Sequence, residues 1–340
     1  MQPDNITIDI VSKEAGVSKT TISRYLNGRY EHMSEKTKKR IEKVIAELNY
    51  RPNTVARSLK SNKTGLIGVI VSDIANPVIV SLIKGVIDYA TQEGYQVVTA
   101  SSDEEVTKER EYIMSMIDRQ VEGLIVNIVD YNEFGYLENL QSRGAKIVLA
   151  DRTINKPILD TITTNNYDAT KAAIKNLYDM GYEVVGMFSS DLRRSNVRLS
   201  RFNAFLNQST EFASNPLSLA HIFTEDNEEE YKKVLAKFME KHAGKKVAIF
   251  ASTPMSLLNL LGAAHELKLR TPEDFGVLGY DNLHWTKLIN GGVSVIDQPF
   301  YTLGQESAKM LIKRINNELD GFPQYVELKS KIVLRNSTTL

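Results

Sequence analysis

The sequence predicts an α/β protein in which a small all-helical headpiece precedes a large body of two lobes. Near the amino terminus, short amphipathic patterns are divided by residues that cap or stop helices. Farther along, short aliphatic runs alternate with helical patterns, which is typical of doubly wound parallel sheets covered by helices on both faces. The alternation forms two series that break near residues 160–166. We therefore expect a headpiece over residues 1–52, a hinge helix and linker over 53–64, and a body over 65–340.

Residues 7–27 form two short helical patterns separated by Gly16, with the spacing of a helix-turn-helix. Thr7 can cap the first helix, and Gly16 permits the left-handed backbone that ends it. Ser18 is a strong cap for the second helix. The polar face of that helix carries groups that bond base edges and phosphates, namely Lys19, Thr20, Ser23 and Arg24, with Asn27 just beyond. An amphipathic hairpin with a solvated polar face is the structural alternative.

Two further helices complete the predicted headpiece and hinge. Ser34 begins a third capped helix, whose apolar stripe lets three helices share a small core. Pro52 stops this region, and Asn53 can cap a short fourth helix. A helix of about eight residues is marginal alone in water, so this hinge needs a dimer mate or DNA to persist.

Residues 7–60 resemble the headpiece and hinge of the lactose-repressor (LacI/GalR) family of bacterial transcription regulators. The matching segments are Ala15-Gly16-Val17-Ser18, Thr21-Ile22-Ser23-Arg24, Leu48-Asn49-Tyr50-Arg51-Pro52-Asn53 and Ala56 to Leu59. The resemblance implies that Lys19, Thr20 and Arg24 read bases, and that the backbone is positioned by Thr7, Ser18, Thr21, Ser23 and Asn27. It further implies a minor-groove hinge containing Asn53, Ala56 and Leu59. Leu59 would enter the minor groove and kink the duplex, whereas packing between paired hinges is its structural alternative.

Charge and composition agree with a nucleic-acid-binding end. The chain has 42 Lys and Arg against 42 Asp and Glu, but residues 1–63 hold 13 against 7. The basic end is therefore the predicted DNA-binding end. The absence of cysteine excludes disulfides, thiolate metal sites and cysteine nucleophiles. The amino terminus lacks a signal-peptide pattern, and Pro254 interrupts the uncharged stretch 247–265, so we expect a cytoplasmic protein without a membrane span.

The aliphatic runs of the body predict its strands. They cover residues 66–71, 96–100, 123–127, 146–150, 184–188, 219–223, 247–251, 276–279 and 293–296, with a final strand at 332–335. This pattern is similar to the periplasmic-binding-protein type I fold, and the LacI/GalR resemblance extends over it. We expect an amino lobe of about 65–162 with a crossing segment near 293–325. The carboxyl lobe would comprise about 163–292 and the C-terminal strand.

Residues that follow the predicted strands are candidate effector contacts, because ligands of open parallel sheets bind beyond the carboxyl ends of strands. These candidates are Ser72, Asp73, Ser101, Asn127, Asp151, Arg152, residues 189–191, Ser252, Thr253 and Asp281. The family resemblance singles out Asp151, Arg198, Asp281 and Gln298. As structural alternatives, Asp151 can cap a turn, Arg198 can be solvated, and Asp281 can bond backbone amides. We expect Arg193, Arg194 and Arg201 at the surface, although an anionic effector would recruit one of them.

Departures from the family pattern bear on the effector. Ser252-Thr253 replaces an Asn-Asp pair, Val78-Ile79 replaces aromatic residues, and Arg201 replaces a glycine. A neutral hexose or pentose is therefore less well supported. The segments Lys19-Thr20-Thr21 and Asn27 to Met33 resemble the keto-deoxygluconate-repressor branch of the family. A sugar-acid effector would fit, because Arg152 and Arg198 could meet its carboxylate.

A two-lobed body of this kind is found in three classes of protein: enzymes, transported-solute receptors and transcription regulators. The sequence has no glycine-rich dinucleotide loop, Walker A loop, G-x-S-x-G elbow or H-E-x-x-H motif, which disfavours an enzyme. Its histidines lack metal-ligand spacing, and no cofactor or metal is expected. A transported-solute receptor is disfavoured by the headpiece. We expect a homodimeric regulator, a repressor of carbohydrate-utilisation genes, that binds operator DNA and a small effector and does not contact a membrane. Both an inducer and a corepressor, including a non-sugar one, remain compatible with the sequence.

Overall fold

The computed structural model describes residues 6–50, 64–223, 227–321 and 323–339. The chain divides into two compact units, residues 1–64 and 65–340. The predicted hinge residues Asn53, Ala56 and Leu59 lie outside the described residues. Among the described residues, no helix combines the length and apolar character needed to cross a membrane.

The headpiece contains three helices around a small apolar core. They are α1 (Ile8–Glu14), α2 (Lys19–Leu26) and α3 (Glu35–Glu47). The fully buried core side chains include Val11 from α1, Ile22 from α2 and Ile41 from α3. Gly16 has a φ of 59°, the left-handed conformation that separates α1 from α2. Because Ile22 of α2 packs in this core, the opposite, polar face of α2 points outward.

The body consists of two lobes of alternating strands and helices. The amino lobe begins with β1 (Leu66–Val71), α4 (Pro77–Gln92), β2 (Gln96–Ser101), α5 (Val106–Asp118), β3 (Gly123–Val126), α6 (Gly135–Ser142), β4 (Ile147–Ala150) and β5 (Asp160–Thr164). The carboxyl lobe follows with α7 (Asn166–Asp179), β6 (Val184–Ser190), α8 (Asn196–Ser209), β7 (Ala220–Phe223), α9 (Glu228–Lys241), β8 (Val247–Ala251), α10 (Pro254–Glu266), β9 (Gly276–Tyr280) and β10 (Ser294–Asp297). The chain ends with α11 (Phe300–Ile315), β11 (Tyr325–Leu328) and β12 (Lys331–Val333).

Each lobe is built on a six-stranded sheet, and the two sheets have equivalent strand orders. The amino-lobe order is β11-β5-β4-β3-β1-β2, and the carboxyl-lobe order is β12-β10-β9-β8-β6-β7. β10 and β12 pair antiparallel, whereas the other strand pairs of the described residues are parallel. The predicted two-lobed α/β architecture with parallel sheets is confirmed. Helices cover both faces of each sheet, so the strands are buried aliphatic runs.

β5 and β11 are strands that the aliphatic runs do not predict. β5 has the polar sequence Asp-Thr-Ile-Thr-Thr, yet all five of its residues are buried. Its hydroxyls find backbone acceptors: Thr161 Oγ1 donates to Leu159 O at 3.0 Å, and Thr163 Oγ1 donates to Asp151 O at 2.6 Å. Buried hydroxyls cost little when they are hydrogen-bonded, so a polar strand can occupy an inner position of the sheet.

The chain crosses between the lobes after β5, after β10 and after β11. The segment that returns to the amino lobe differs at both ends from the predicted range 293–325. It begins after β10, because β10 pairs with β9 in the carboxyl-lobe sheet, and it extends to residue 328, because β11 pairs with β5 in the amino-lobe sheet. Side chains connect the crossings. Thr164 Oγ1 donates to Gln298 Oε1 at 2.6 Å, and Ser330 N donates to Asn165 Oδ1 at 2.8 Å. The three crossings therefore form one hydrogen-bonded junction between the lobes.

A buried ion pair anchors the returning chain to the amino lobe. Asp160 of β5 has a side chain only 1% exposed and pairs with Arg314 of α11, whose Nε lies 2.6 Å from Asp160 Oδ2. Asp160 Oδ1 also accepts from Gln324 N at 2.7 Å, directly before β11. The carboxylate thus joins β5, α11 and the start of β11.

A second buried carboxyl group lies in the amino lobe. The Glu109 side chain on α5 accepts hydrogen bonds from Tyr136 Oη and, at 2.8 Å, from Val129 N. Burial raises the pKa of Glu109 from 4.5 to about 7, against the opposing effect of these hydrogen bonds. The neutral form of Glu109 is therefore favoured in the folded protein at mildly acidic pH.

Replacing Glu109 with glutamine is expected to remove a pH dependence of stability. Because the folded-state pKa of Glu109 is raised, its stabilising contribution is fully present below 4.5 and is lost as the pH rises to about 7. Relative to Glu109→Gln, the native chain should lose about 2 kcal/mol of unfolding free energy between about pH 5 and about pH 8. Urea denaturation of both proteins at the two pH values measures this difference. A constant difference would contradict the assignment.

Candidate functional site

The polar face of α2 is the candidate DNA-contacting surface. Its side chains Lys19, Thr20, Ser23 and Arg24 are exposed, whereas Ile22 on the opposite face is fully buried. The residues predicted to read bases therefore lie together on one accessible face. Lys19 Nζ pairs with Asp9, but both side chains are more than half exposed. Such a pair is worth at most about 1 kcal/mol and can be exchanged for a phosphate or a base.

Most of the residues predicted to position the DNA backbone make local hydrogen bonds through their side chains, but Thr7 does not cap its helix in this way. Ser18 caps α2, because its Oγ accepts from Thr21 N at 3.2 Å and lies 2.9 Å from Thr21 Oγ1. Asn27 Nδ2 donates to Ser23 O at 2.7 Å. Thr7 occupies the cap position of α1 with extended backbone but makes no capping hydrogen bond through its side chain, unlike the prediction. Local hydrogen bonds hold Ser18, Thr21 and Asn27 in place.

The body contains a cavity of about 850 Å³ whose walls come from both lobes, called here the interlobe cavity. Nine of the predicted effector contacts line it: Asp73, Asp151, Arg152, Ser190, Asp191, Arg198, Thr253, Asp281 and Gln298. The other candidates do not line it; of these Ser72, Asn127, Ser189 and Ser252 are buried, and Ser101 is half-buried. Leu258, Trp285 and Phe300 also line the cavity, so apolar side chains face the polar groups. These three side chains were not predicted, because they do not directly follow strands.

Asp151 and Asp281 occupy equivalent positions in the two lobes. Asp151 follows β4 and Asp281 follows β9, and each has a φ of 69°. Their amides donate to Ile162 O and Ile296 O, both at 2.8 Å. A left-handed conformation is uncommon for a residue other than glycine and is retained where the surroundings fix it, often at functional sites. The equivalent strand ends thus present one carboxyl group each to the cavity.

The two carboxyl groups have different hydrogen-bond partners. Asp281 Oδ1 accepts from Gln298 Nε2 at 2.7 Å, and Asp151 Oδ2 accepts from Asn127 Nδ2 at 3.2 Å. Within the described part of the chain, Asp151 Oδ1 is buried and has no hydrogen-bond partner. Burial raises the pKa of Asp281 to about 6 and also raises the pKa of Asp151. Asp151 Oδ1 is therefore a buried acceptor that no described donor satisfies.

The predicted contacts that do not line the cavity are hydrogen-bonded to neighbouring groups, which for Asn127 include Asp151. Ser72 Oγ donates to Asn127 Oδ1 at 2.8 Å, and Asn127 Nδ2 donates to Ala150 O at 3.0 Å as well as to Asp151. On the other lobe, Ser252 Oγ donates to Ser189 Oγ at 2.6 Å. The amide and the hydroxyls therefore fix neighbouring groups and do not face the cavity.

Arg152 differs from the expectation that it would meet a ligand carboxylate. Its Nη1 donates to Glu104 Oε2 at 3.0 Å and to the carbonyl oxygens of Ile128 and Val129 at 3.3 and 3.2 Å. Its guanidinium is thus committed to a carboxylate of its own lobe. Glu104 was not among the predicted contacts, because it lies three residues after the end of β2 and not directly at the strand end. Its backbone has a φ of 58°. Arg152 thus joins Glu104 to the carbonyl oxygens that precede Asp130, another cavity-lining residue.

Arg198 is a cation of the cavity wall that forms no ion pair with any described residue. It lies in the first turn of α8, and its guanidinium has no hydrogen bond or ion pair with any residue that the structure describes. Burial and the neighbouring Arg152 together lower the pKa of Arg198 to about 10, against the opposing effect of the Glu104 and Asp191 carboxylates. Arg198 is partly exposed, and a cation of the cavity wall without an ion pair favours an anionic ligand.

Arg201 is buried, which corrects the prediction of a surface charge. It is 4% exposed and lines the cavity one turn after Arg198. Its Nε donates to Asn166 Oδ1 at 2.8 Å, its Nη1 donates to Ser252 O at 2.7 Å, and its guanidinium lies 3.5 Å from the ring centroid of Tyr280. These contacts offset the cost of burying the cation. The sequence did contain one indication of this position, because a residue three places after Arg198 in a helix lies on the same face as Arg198.

The remaining two arginines of this region are exposed, as expected, and lie at the rim of the cavity. Arg193 pairs with Asp191, with Nη2 2.7 Å from Oδ2. Arg194 Nη1 lies 3.5 Å from Glu104 O of the other lobe. A second contact across the lobes joins Thr153 N to Asn196 Oδ1 at 3.3 Å. The rim therefore brings polar groups of the two lobes into contact.

Comparisons with known proteins agree with both units. Residues 7–53 match the family of bacterial regulatory proteins, lacI family, and residues 67–321 match a periplasmic binding protein domain. The chain is 35% identical over 331 residues to the HTH-type transcriptional regulator KdgR of Bacillus subtilis (strain 168), covering 97% of each protein. It is 30% identical to the ribose operon repressor of Halalkalibacterium halodurans, covering 98% of this chain and 97% of the relative.

The fold has equally extensive similarity to a solved structure. The crystal structure of the lac repressor dimer, bound to operator and the anti-inducer ONPF, matches with a TM-score of 0.85 at 23% identity, covering 99% of this chain and 100% of that one. A helix-turn-helix headpiece attached to a two-lobed body defines a class of transcriptional regulators, and the relatives are regulators and not enzymes. The chain belongs to the lacI family of bacterial regulatory proteins. The predicted family resemblance and the predicted absence of enzymatic function are confirmed.

Proposed function

We propose that this regulator binds a near-palindromic operator as a homodimer and represses carbohydrate-utilisation genes, with its DNA affinity controlled by a small effector bound in the interlobe cavity. The observation that carries the proposal is the pair of unsatisfied groups in that cavity. The Arg198 guanidinium has no counter-ion among the described residues, and Asp151 Oδ1 has no hydrogen-bond donor. A ligand that carries both an acidic group and hydroxyls satisfies both, which favours a sugar acid over a neutral sugar.

The proposed DNA contact uses the exposed face of α2. Lys19, Thr20 and Arg24 would contact base edges, and Thr7, Ser18, Thr21, Ser23 and Asn27 would fix the phosphate backbone. A bidentate arginine contact is the most specific of these interactions. Two headpieces would read neighbouring half-sites, because the symmetry of an operator matches that of a dimer.

The proposed dimer has a candidate contact surface on α4. Val80 and Ile87 lie seven residues apart on this helix, 54% and 38% exposed. Residues at this spacing share one face of a helix, and apolar side chains on a shared exposed face favour a second copy of the protein. The hinge around Asn53, Ala56 and Leu59 would then pair between protomers and enter the minor groove.

The proposed coupling depends on the junction formed by the three chain crossings. An effector that bridges Asp151 of one lobe and Arg198 of the other stabilises one interlobe arrangement. The change in DNA affinity equals the differential affinity of the effector for the two arrangements. An inducer favours the arrangement with weak DNA binding, and a corepressor favours the other.

The first test is fluorescence anisotropy of DNA from the gene's own upstream region, titrated with the protein. Bound DNA is then challenged with neutral sugars and with sugar acids, including 2-keto-3-deoxygluconate. We expect sequence-selective binding that one acid reverses. Tightening by a metabolite would identify a corepressor, and indifference to every compound would contradict the proposed effector. Absence of selective binding would contradict the proposed role of the headpiece.

Replacing Arg24 with alanine is expected to relax base discrimination. Loss of one bidentate base contact should reduce specificity by about 1–3 kcal/mol at a single operator position, while ligand binding by the body is unchanged. Anisotropy with operators altered one base pair at a time measures the loss. Lys175→Ala removes an exposed cation of the body and is the matched control. A uniform loss at all positions would show that Arg24 contacts phosphate.

A further inference from the structure

We propose that Arg198 and Arg201 together form an anion clamp that selects an effector with a carboxylate over its neutral counterpart. This inference rests on the proposed function and adds Arg201 to the ligand-binding residues. The clamp would hold one acidic group between two guanidinium groups on successive turns of α8. Asp151 would accept a hydroxyl at the other end of the ligand.

The helix places both guanidinium groups on the same wall. Arg198 and Arg201 are three residues apart in α8, and side chains at this spacing are neighbours on one helix face. Both line the interlobe cavity. Each cation also disfavours the charge of the other, because Arg201 is among the groups that lower the pKa of Arg198. An anion between them would replace this repulsion with two attractions.

Arg201 is preorganised for such a contact. Two of its nitrogens are held by Asn166 Oδ1 and Ser252 O, and its plane stacks on Tyr280. A guanidinium has five N–H donors, so these two hydrogen bonds leave donors for a ligand. Because Tyr280 and Asn166 already fix the side chain, little rotamer entropy is lost on binding. Arg198, in contrast, forms no ion pair with a described residue, although the Glu104 and Asp191 carboxylates are near enough to raise its pKa.

The charges around the clamp favour a single carboxylate. Arg201 also acts as a counter-charge for Asp151 and Asp281, since it lowers the pKa of each against the effect of burial. Six acidic residues line the cavity: Asp73, Glu104, Asp130, Asp151, Asp191 and Asp281. A doubly charged phosphate would meet more repulsion from these groups than a carboxylate would. The structural alternative is that Arg201 serves only as the counter-charge of the aspartates.

The test compares acids with neutral compounds of the same carbon skeleton. Isothermal titration calorimetry of the full chain would use galacturonate with galactose, glucuronate with glucose, and gluconate with glucitol. We expect Arg201→Gln to lower the affinity for the bound acid by about 10- to 100-fold, as for the loss of a charge-assisted hydrogen bond. The affinity for the neutral partner should change by less than about threefold. Arg143→Gln removes an exposed arginine that does not line the cavity and is the control.

Each outcome decides between the clamp and its alternative. Equal losses for acid and neutral compound in Arg201→Gln would overturn the clamp, because a structural role affects both ligands alike. Failure of the native protein to bind any acid of the panel would also overturn it. Release of DNA by a neutral sugar in that case would leave the proposed function standing. If Arg201→Gln does not fold, a crystal structure of the native chain with the bound acid decides: contact with both arginines supports the clamp, and contact with Arg198 alone overturns it.

Discussion

Replacing Arg198 with glutamine is expected to abolish the ligand response while leaving the affinity for operator DNA unchanged. The affinity for an acidic effector should fall about 100-fold, because its carboxylate loses a charge-assisted pair in a partly buried site. The same substitution removes a cation that has no partner among the described residues, so the ligand-free protein should become more stable. A loss of ligand affinity combined with a gain in stability is characteristic of a binding group and not of a structural one.

Two measurements on Arg198→Gln separate these effects. DNA anisotropy with and without the effector reports the response, and thermal denaturation without ligand reports the stability. Arg143→Gln, the exposed arginine outside the cavity, should change neither. A normal response in Arg198→Gln would show that the effector does not use this part of the cavity.

Replacing Asp160 with alanine is expected to destabilise the body more than any exposed ion pair could. The substitution removes the carboxylate that Arg314 and Gln324 N share beneath the junction of β5 and β11. Loss of one partner of a buried pair costs about 3–5 kcal/mol. For a unit of this size, that corresponds to a drop of roughly 10 °C in the melting temperature.

Thermal denaturation of the full chain measures this effect. Asp179→Ala breaks the exposed pair between Lys175 and Asp179 on α7 and should cost less than about 1 kcal/mol. Replacing Asp160 and Arg314 together by apolar residues should restore part of the loss, because no charge is then left buried alone. Equal shifts for Asp160→Ala and Asp179→Ala would contradict the proposed anchoring of β11.

The architecture was predictable because aliphatic runs of strand length alternate with helical patterns along nearly the whole body. β5 was not predictable in the same way, because its threonines resemble a solvated segment. Its burial depends on acceptors such as Asp151 O, which only the folded chain brings close. The assignment of β10 to the carboxyl lobe likewise depends on its pairing with β9, which the aliphatic run alone does not indicate.

In the candidate site, too, residues marked by a local sequence pattern were predictable, and residues placed by contacts in the folded chain were not. Asp151 and Asp281 follow strands, so the rule for parallel sheets found them. Arg201 was placed at the surface because an isolated arginine is rarely buried. Its burial follows from Asn166, Ser252 and Tyr280, which come from three different elements. Arg152 shows the converse, since Glu104 takes up the donors that a ligand was expected to use.

The position of Trp285 in the cavity wall has a practical consequence. This residue lies in the short 3₁₀ helix His284–Lys287 and is the single tryptophan of the chain. Its indole emission therefore arises at one place, beside the candidate ligand. Binding of a sugar acid would change the polarity around the ring and displace neighbouring water. The protein thus carries a built-in optical reporter, and unlabelled material is enough to follow occupancy of the cavity in real time.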